Sequence, residues 1–238
     1  MKRAIVMGAS SGLGLEVARL LKERGWIVGV AARRQERLSE FEVAAQIDVT
    51  HEVAGEQLMQ LVERLGGMDL YFHASGIGKQ NRELQEDIEL RTMETNAIGF
   101  TRMVGAAYRY MASHGGGHIA VISSIAGTKG LGPAPAYSAT KALQNTYIEA
   151  LQQLSNAKKL NIRFTDLRPG FVDTDLLKPK SNDEAFHYPM LLDPKTVARD
   201  MVCSIERHRH IRVIDWHWRI VTTAWKLIPR WLWRHFKL

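Results

Sequence analysis

K-R-A-I-V-M-G-A-S-S-G-L-G, residues 2–14, is an apolar run that ends in a glycine-rich turn, and the hydrophobic period changes immediately after it. Lys2 to Met7 shows little polar alternation, as expected of a strand buried on both faces of a parallel sheet. Leu13, Val17, Leu20 and Leu21 then recur at helical spacing up to Gly25. The order is strand, glycine turn, helix. Gly8, Gly12 and Gly14 allow a sharp turn and close backbone approach to a phosphate, while the helix N-terminus offers free N–H groups and a favourable dipole to an anion. The spacing is G-x-x-x-G-x-G rather than the commoner G-x-G-x-x-G of dinucleotide sites, and a turn of this kind also serves simply to end a strand.

Working outward, Trp26 to Ala32 is the next buried strand and completes a β-α-β unit with a right-handed crossover. A site for NAD needs an acid here to accept hydrogen bonds from the ribose 2′-hydroxyl. The chain has Ala31-Ala32-Arg33-Arg34 instead, and two guanidiniums suit a 2′-phosphate, which favours NADP. The competing reading is that both arginines are solvated surface charges. Further strands are expected at Val43–Ile47, Met68–His73, His118–Ser123, Asn161–Leu167 and, at an edge, Ile211–Ile214. Helices are expected up to Leu65 before Gly66-Gly67, over Asp87–Ser113, over Tyr137–Lys159, and from the Asp193 cap and Pro194 to Arg207. This alternation predicts a single α/β domain, a doubly wound parallel sheet of about seven strands with helices on both faces. Leu176 to Leu192 has no clear period and contains Pro179 and Pro189, so it reads as a loop or short lid.

The chemistry concentrates in V-I-S-S-I-A-G-T-K-G-L-G-P-A-P-A-Y-S-A-T-K, residues 121–141. A hydroxyl ends an apolar run, a Gly- and Pro-rich loop follows, and Tyr137 and Lys141 stand four residues apart, on one face if the segment is helical. Such a set can move a proton. Successive residues at a strand end point to opposite sides, so only one of Ser123 and Ser124 can face Tyr137. Asn96, in the middle of a long helical stretch, is a poor helix former whose plain reading is a surface or capping residue.

With these pieces placed, residues 1–215 resemble the short-chain dehydrogenase/reductase family. The glycine turn matches Gly8, Gly12 and Gly14; Asp48 matches the adenine-contacting acid; Ala74-Ser75-Gly76 resembles the small turn after the fourth strand. Asn96, Ser124, Tyr137 and Lys141 match the family tetrad, Pro169-Gly170 its Pro-Gly turn, and the family's serine-to-tyrosine interval selects Ser124 over Ser123. The resemblance implies a single-domain Rossmann fold, NADP(H) as cofactor, and a ketone–alcohol interconversion. Its cofactor contacts would be Gly8, Ser10, Ser11, Gly12, Leu13, Gly14, Arg33, Arg34, Asp48, Val49, Ala74, Ser75, Gly76, Tyr137, Lys141, Pro169 and Gly170, with Val172 and Thr174 near the nicotinamide amide. Tyr137 would give its proton to the substrate oxygen, Ser124 would hold that oxygen, Lys141 would steady the phenolate and the nicotinamide ribose, and Asn96 would position a water on the proton path. The resemblance further implies a homodimer or homotetramer. Two departures stand out: Met7 where Thr is usual, and His73-Ala74-Ser75-Gly76 where Asn-Asn-Ala-Gly is usual. A cofactor-binding scaffold or redox-sensing protein without turnover is the alternative, and the intact Ser124, Tyr137 and Lys141 argue against it.

Composition bounds the rest. Apolar content of 45% and charged content of 24% fit a globular chain rather than a disordered or fibrous one. The single Cys203 suits a reducing compartment, and the apolar run after Met1 is too short for a signal peptide or membrane span, so a cytoplasmic location is expected. The net charge of +7 is nearly all in the tail: from His208 onward seven Lys/Arg face Asp215 alone. Residues 216–238 also hold five of the six tryptophans. On a helix Trp218, Val221, Trp225, Ile228, Leu232 and Phe236 form one stripe, and Arg219, Lys226, Arg230, Arg234 and Lys237 another, with Pro229 as a kink. That pattern fits a helix lying on a membrane surface, or equally one packed on a partner subunit or over the substrate cleft. Single strands stacking on the tryptophans are a less favoured third reading, and nucleic acid is not an expected partner. The substrate expected from the apolar tail and the 174–196 loop is an apolar, lipid-like carbonyl compound.

Overall fold

In the computed structural model, which describes residues 1–177 and 188–236, the seven strands lie side by side and all run parallel. They are β1 Arg3–Met7, β2 Ile27–Ala32, β3 Val43–Gln46, β4 Leu70–His73, β5 Gly117–Ile122, β6 Ile162–Arg168 and β7 Ile211–Val213. The sheet order is β3-β2-β1-β4-β5-β6-β7, so the chain reverses direction of travel between β1 and β4. Ligands of open α/β sheets bind at the carboxyl ends of the strands beside such a switch point.

The central strands feed two cores. Ile5 and Met7 of β1 point into one, Ala4 and Val6 into the other, as the two-residue period of a strand requires. Both sets are apolar because helices cover both faces, which is why no alternation of polarity marks these strands. The first core is closed by α2 Ala54–Leu65, α4 Phe100–Ser113 and α5 Pro135–Ala157. The second is closed by α1 Gly12–Glu23 and α6 Pro194–Glu206. Leu21, fully buried on α1, would cost about 2–5 kcal/mol as alanine.

The helix ends follow local chemistry. Gly66, in the left-handed region at φ 78°, ends α2, and Asp193 caps α6 by accepting from the Thr196 N–H at 2.8 Å, with Pro194 in the first turn. The stretch expected as one helix over Asp87–Ser113 is instead three pieces: α3 Glu86–Met93, a π-helical segment Glu94–Gly99, and α4. The widened turn contains Asn96. Beyond β7, α7 Trp216–Leu227 and the short α8 Arg230–Trp233 flank Pro229. The part of the 174–196 loop between 178 and 187, and Lys237 of the basic stripe, lie outside the described residues.

Candidate active site

The glycine turn, the Ala74-Ser75-Gly76 turn, the Pro169-Gly170 turn and the Ser-Tyr-Lys group gather at the carboxyl ends of β1, β4, β5 and β6. Gly8 has φ 92°, and a β-carbon on it would stand 2.6 Å from the Ser75 nitrogen. A β-carbon on Gly14 would collide with the Gly8 carbonyl and come within 3.0 Å of Ala74. The two turns are therefore packed backbone to backbone, which only glycine permits. Gly12, at φ 57°, faces the Thr174 methyl. Leu13 is packed into the second core, and Ser11 precedes α1 without capping it. The hydroxyls of Ser10 and Ser11 both accept from Arg34 Nη2, at 3.1 and 2.9 Å. The Arg33 charge acts on Asp48, and its backbone carbonyl accepts from Gln46 Nε2 at 3.1 Å. Asp48 is held by Thr50, whose N–H and hydroxyl both donate to Oδ1. Burial opposes its charge, but those two bonds and then Arg33 win, and its pKa is lowered. The Val49 carbonyl accepts from Arg102 at 2.7 Å.

Ser123 and Ser124 do point to opposite sides. The Ser123 hydroxyl donates to the buried Asp166, whereas that of Ser124 meets Tyr137 and also accepts from the Ala126 N–H at 3.1 Å. Tyr137 and Lys141 share a face of α5, with Lys141 Nζ 5.7 Å from the tyrosine ring centre. Gly78, not singled out as a site residue above, is pressed against that ring: a β-carbon on it would lie 2.9 Å from Tyr137 Cε2. Lys141 is buried, and its ammonium donates to the Ile122 carbonyl and to Gln144 Oε1, each at 3.0 Å. Burial lowers its pKa to about 8, against the pull of the Asp166 carboxylate. In the free chain burial pushes the Tyr137 phenol up, and the Ser124 hydrogen bond pulls it partly back. It is thus held in the protonated, donor-competent form. Behind Lys141, Asp166 is paired with Arg168 at 2.6 Å, and Asn145, in the amide orientation that satisfies its neighbours, donates to Ser123 at 2.9 Å and to Asp166 at 3.1 Å.

Asn96 is fully buried, not a surface residue. Its Oδ1 accepts from the Ile77 N–H at 2.8 Å and its Nδ2 donates to the Ile77 carbonyl at 2.7 Å, which ties the π segment to the turn after β4. Gly76 lies alongside, with room for a β-carbon at 3.4 Å from Asn96 Oδ1 and 3.8 Å from Lys141 Nζ. The Ala74 N–H donates to the Met7 carbonyl at 2.8 Å. His73 is buried, its Nδ1 2.9 Å from the Tyr71 hydroxyl. Burial, and then Lys141, drive its pKa down to about 3, so it is neutral.

On the far side, the Pro169 carbonyl accepts from the Ile125 N–H, and Val172 bridges to Leu192. Gly170 is covered by the Trp218 indole, which also meets Phe171 edge-on at 5.4 Å. The Trp233 indole N–H donates to the Gly130 carbonyl at 2.8 Å, and Lys129 Nζ to the Ile228 carbonyl at 2.9 Å. The tail therefore rests on the Pro-Gly turn and on the loop between Ser124 and Tyr137. The apolar stripe expected from the sequence is largely turned inward: Trp218 is buried, and Val221, Trp225 and Ile228 are half-buried.

The geometry can cradle an anion over the glycine turn and hold a carbonyl oxygen between Ser124 and Tyr137. A nicotinamide dinucleotide suits such a site, since the glycine turn leads into the N-terminus of α1 and Lys141 Nζ lies by the Gly76 turn on the same edge of the sheet. Comparison with known proteins agrees. A profile of the short chain dehydrogenase family matches residues 2–185. An uncharacterized oxidoreductase of Mycobacterium tuberculosis is 29% identical over 247 residues, 96% of this chain and 95% of its own length. One from Myxococcus xanthus is 30% identical over 241 residues, with 96% and 93% covered. A crystal structure assigned as a short-chain alcohol dehydrogenase from Sinorhizobium meliloti 1021 matches with a TM-score of 0.78 at 25% identity, covering 92% of this chain and 96% of that one.

Proposed function

The chain belongs to the short-chain dehydrogenase family and is an NAD(P)-dependent oxidoreductase, and on that premise we propose that it reduces an apolar, lipid-like ketone to a secondary alcohol with NADPH. The observation that carries this reading is the meeting of Ser124, Tyr137 and Lys141 at the end of β5. Bound NADPH would supply hydride to the carbonyl carbon. Tyr137 donates its phenolic proton to the carbonyl oxygen, where negative charge develops, and Ser124 donates a hydrogen bond to the same oxygen. Lys141 places a positive charge beside the phenolate that remains, which lowers the cost of leaving it ionised. Gly8, Gly12, Gly14 and the α1 N-terminus would hold the pyrophosphate, and Asp48 the adenine side.

The choice of NADPH over NADH rests on Arg34. Its guanidinium is already fixed on Ser10 and Ser11 beside the glycine turn, so a 2′-phosphate there meets a positioned cation and two hydroxyls. The residues directly after β2 are Arg33 and Arg34, not an acid that would accept from a free 2′-hydroxyl.

The lipid-like character rests on the apolar surface around the site: Leu176, Met190 and Leu191 are exposed, and the tail adds more. On α7 the outward residues Trp216, Ile220 and Leu227 recur within one helical face, flanked by Arg219 and Lys226, and Trp231 and Arg230 continue the surface. Aromatic and aliphatic groups between cations suit an anionic membrane surface from which such a substrate would be drawn. No helix among the described residues is long and apolar enough to cross a bilayer. A second copy of the chain is the competing occupant of this face.

The test is NADPH oxidation with a ketone panel running from short aliphatic to long-chain and steroid-like compounds. Turnover that rises with chain length is the expected result. Failure with every ketone would overturn the reading in favour of a cofactor-binding scaffold. Co-sedimentation with anionic and zwitterionic vesicles, compared with the state of the protein in light scattering, decides between membrane and self-association.

A further inference from the structure

Gln144 lies one turn beyond Lys141 on α5 and has no exposed surface. A buried amide is costly unless both ends are paired, and here both are. Its Nε2 donates to the Asn96 carbonyl at 2.8 Å, and its Oε1 accepts from Lys141 Nζ at 3.0 Å. Asn96 in turn is fastened to Ile77 through both atoms of its side chain, and Lys141 to the Ile122 carbonyl. An unbroken series of protein hydrogen bonds thus runs from the turn after β4, through the π segment and Gln144, to the ammonium and the end of β5. The spacing of three residues puts Gln144 on the Lys141 face of the helix.

We propose that Gln144 is a positioning residue for Lys141, one that fixes the ammonium beside Tyr137 by its amide oxygen and is itself anchored by its amide nitrogen on the Asn96 carbonyl. The inference rests on the reading of Tyr137 and Lys141 as the proton-transfer pair. The physical reason lies in the amide: its oxygen takes a hydrogen of the ammonium while its nitrogen is tied to the Asn96 main-chain carbonyl, so the acceptor is held facing Lys141.

The charged and titratable groups around Lys141 are Tyr137 on its own helix, Asp166 on β6, and His73 on β4, which stays neutral. Asp166 is already engaged by Ser123 and Arg168, so Gln144 is the side-chain acceptor in contact with the ammonium. Replacing the amide oxygen therefore changes the ammonium's surroundings directly.

The test is the titration of Lys141 Nζ by nitrogen-15 NMR in the free, full-length protein, for wild type, Gln144→Leu and Gln144→Glu, alongside the pH profile of kcat/KM. Leu removes the acceptor and should lower the Lys141 pKa, and Glu adds a negative charge and should raise it, by about half a pH unit or more in each case. The basic limb of the pH profile should move in the same two directions. A residue that merely packs would lower activity without moving the titration in the Leu variant, and an unmoved titration in that folded variant overturns the proposal. If Gln144→Leu does not fold, Gln144→Met, which also lacks the acceptor, decides by the same downward shift. Because the NMR titration needs no turnover, its failure is distinguishable from failure of the proposed function, which Tyr137→Phe reports separately.

Discussion

The Trp218 indole occupies the space that any side chain at Gly170 would need, so the tail and the Pro-Gly turn beside the site are fitted to each other. Trp218 is 3% exposed, yet its Nε1 has no hydrogen-bond partner among the described residues. Its contribution is therefore shape and apolar area rather than polarity. Trp218→Ala should cost about 3–5 kcal/mol, whereas Trp218→Phe should cost clearly less, because it keeps an aromatic ring and removes the unpaired donor. Gly170→Ala should loosen α7 and expose residues 216–236 to protease. Urea unfolding and limited proteolysis measure both effects, and equal losses for the Phe and Ala variants would refute the account.

Cofactor choice should depend on Arg34 more than on Arg33. Arg34 is already braced by two serine hydroxyls, so little order is lost when a phosphate arrives. A charge-assisted contact of this kind is worth about 1.5–3 kcal/mol, so Arg34→Ala should raise the KM for NADPH by about 10- to 100-fold. The KM for NADH should hardly change. Steady-state kinetics with both cofactors is the measurement, and an equal loss with each would remove Arg34 from the phosphate site.

The strands and the order of the elements were legible in the sequence because apolar runs on both sides of small-residue turns leave a parallel doubly wound sheet as their natural arrangement. Ser124, Tyr137 and Lys141 were legible as chemistry because few residue types combine an acid–base hydroxyl with a cation one turn away. Asn96 was not. A polar residue in a helical stretch signals a surface, and only the π segment, which no local pattern announces, turns it inward to Ile77. Gln144 carried a weak signal, its three-residue spacing from Lys141, but its burial depends on α5 meeting the π segment. The tail shows the limit of a helical wheel: it separated the two faces of the tail but not which side the body would cover. The body took the Trp218–Trp225 side and left Trp216, Ile220 and Leu227 among the cations.

Tyr137→Phe should leave NADPH binding within about twofold and lower kcat by about 10²–10⁴. The phenyl ring keeps the contact with Gly78, so the fold is retained, and what is lost is the proton at the oxygen. Fluorescence titration of NADPH and single-turnover reduction separate the two quantities. Normal turnover in a folded variant would exclude Tyr137 as the acid.

Acid should destabilise the protein before its carboxylates titrate. His73 and His118 both sit in the interior with pKa values lowered to about 3, the first by burial and then Lys141, the second by burial and then the neighbouring His208 and Arg163. Unfolded, each ring takes up a proton near pH 6.5. Between about pH 6.5 and 3 the unfolded chain therefore binds more protons than the folded one, and stability falls as pH falls, by up to about 1.4 kcal/mol per pH unit for each histidine. Above pH 6.5 both rings are neutral in either state and this dependence vanishes. His73→Gln, which can keep a hydrogen bond to the Tyr71 hydroxyl, should remove about half of the slope. Urea midpoints from pH 7.5 to 5 test this directly. A wild-type midpoint that does not fall across that range, or a variant whose slope matches wild type, would show that His73 accepts its proton inside the fold, and the buried neutral ring beside Lys141 would have to be abandoned.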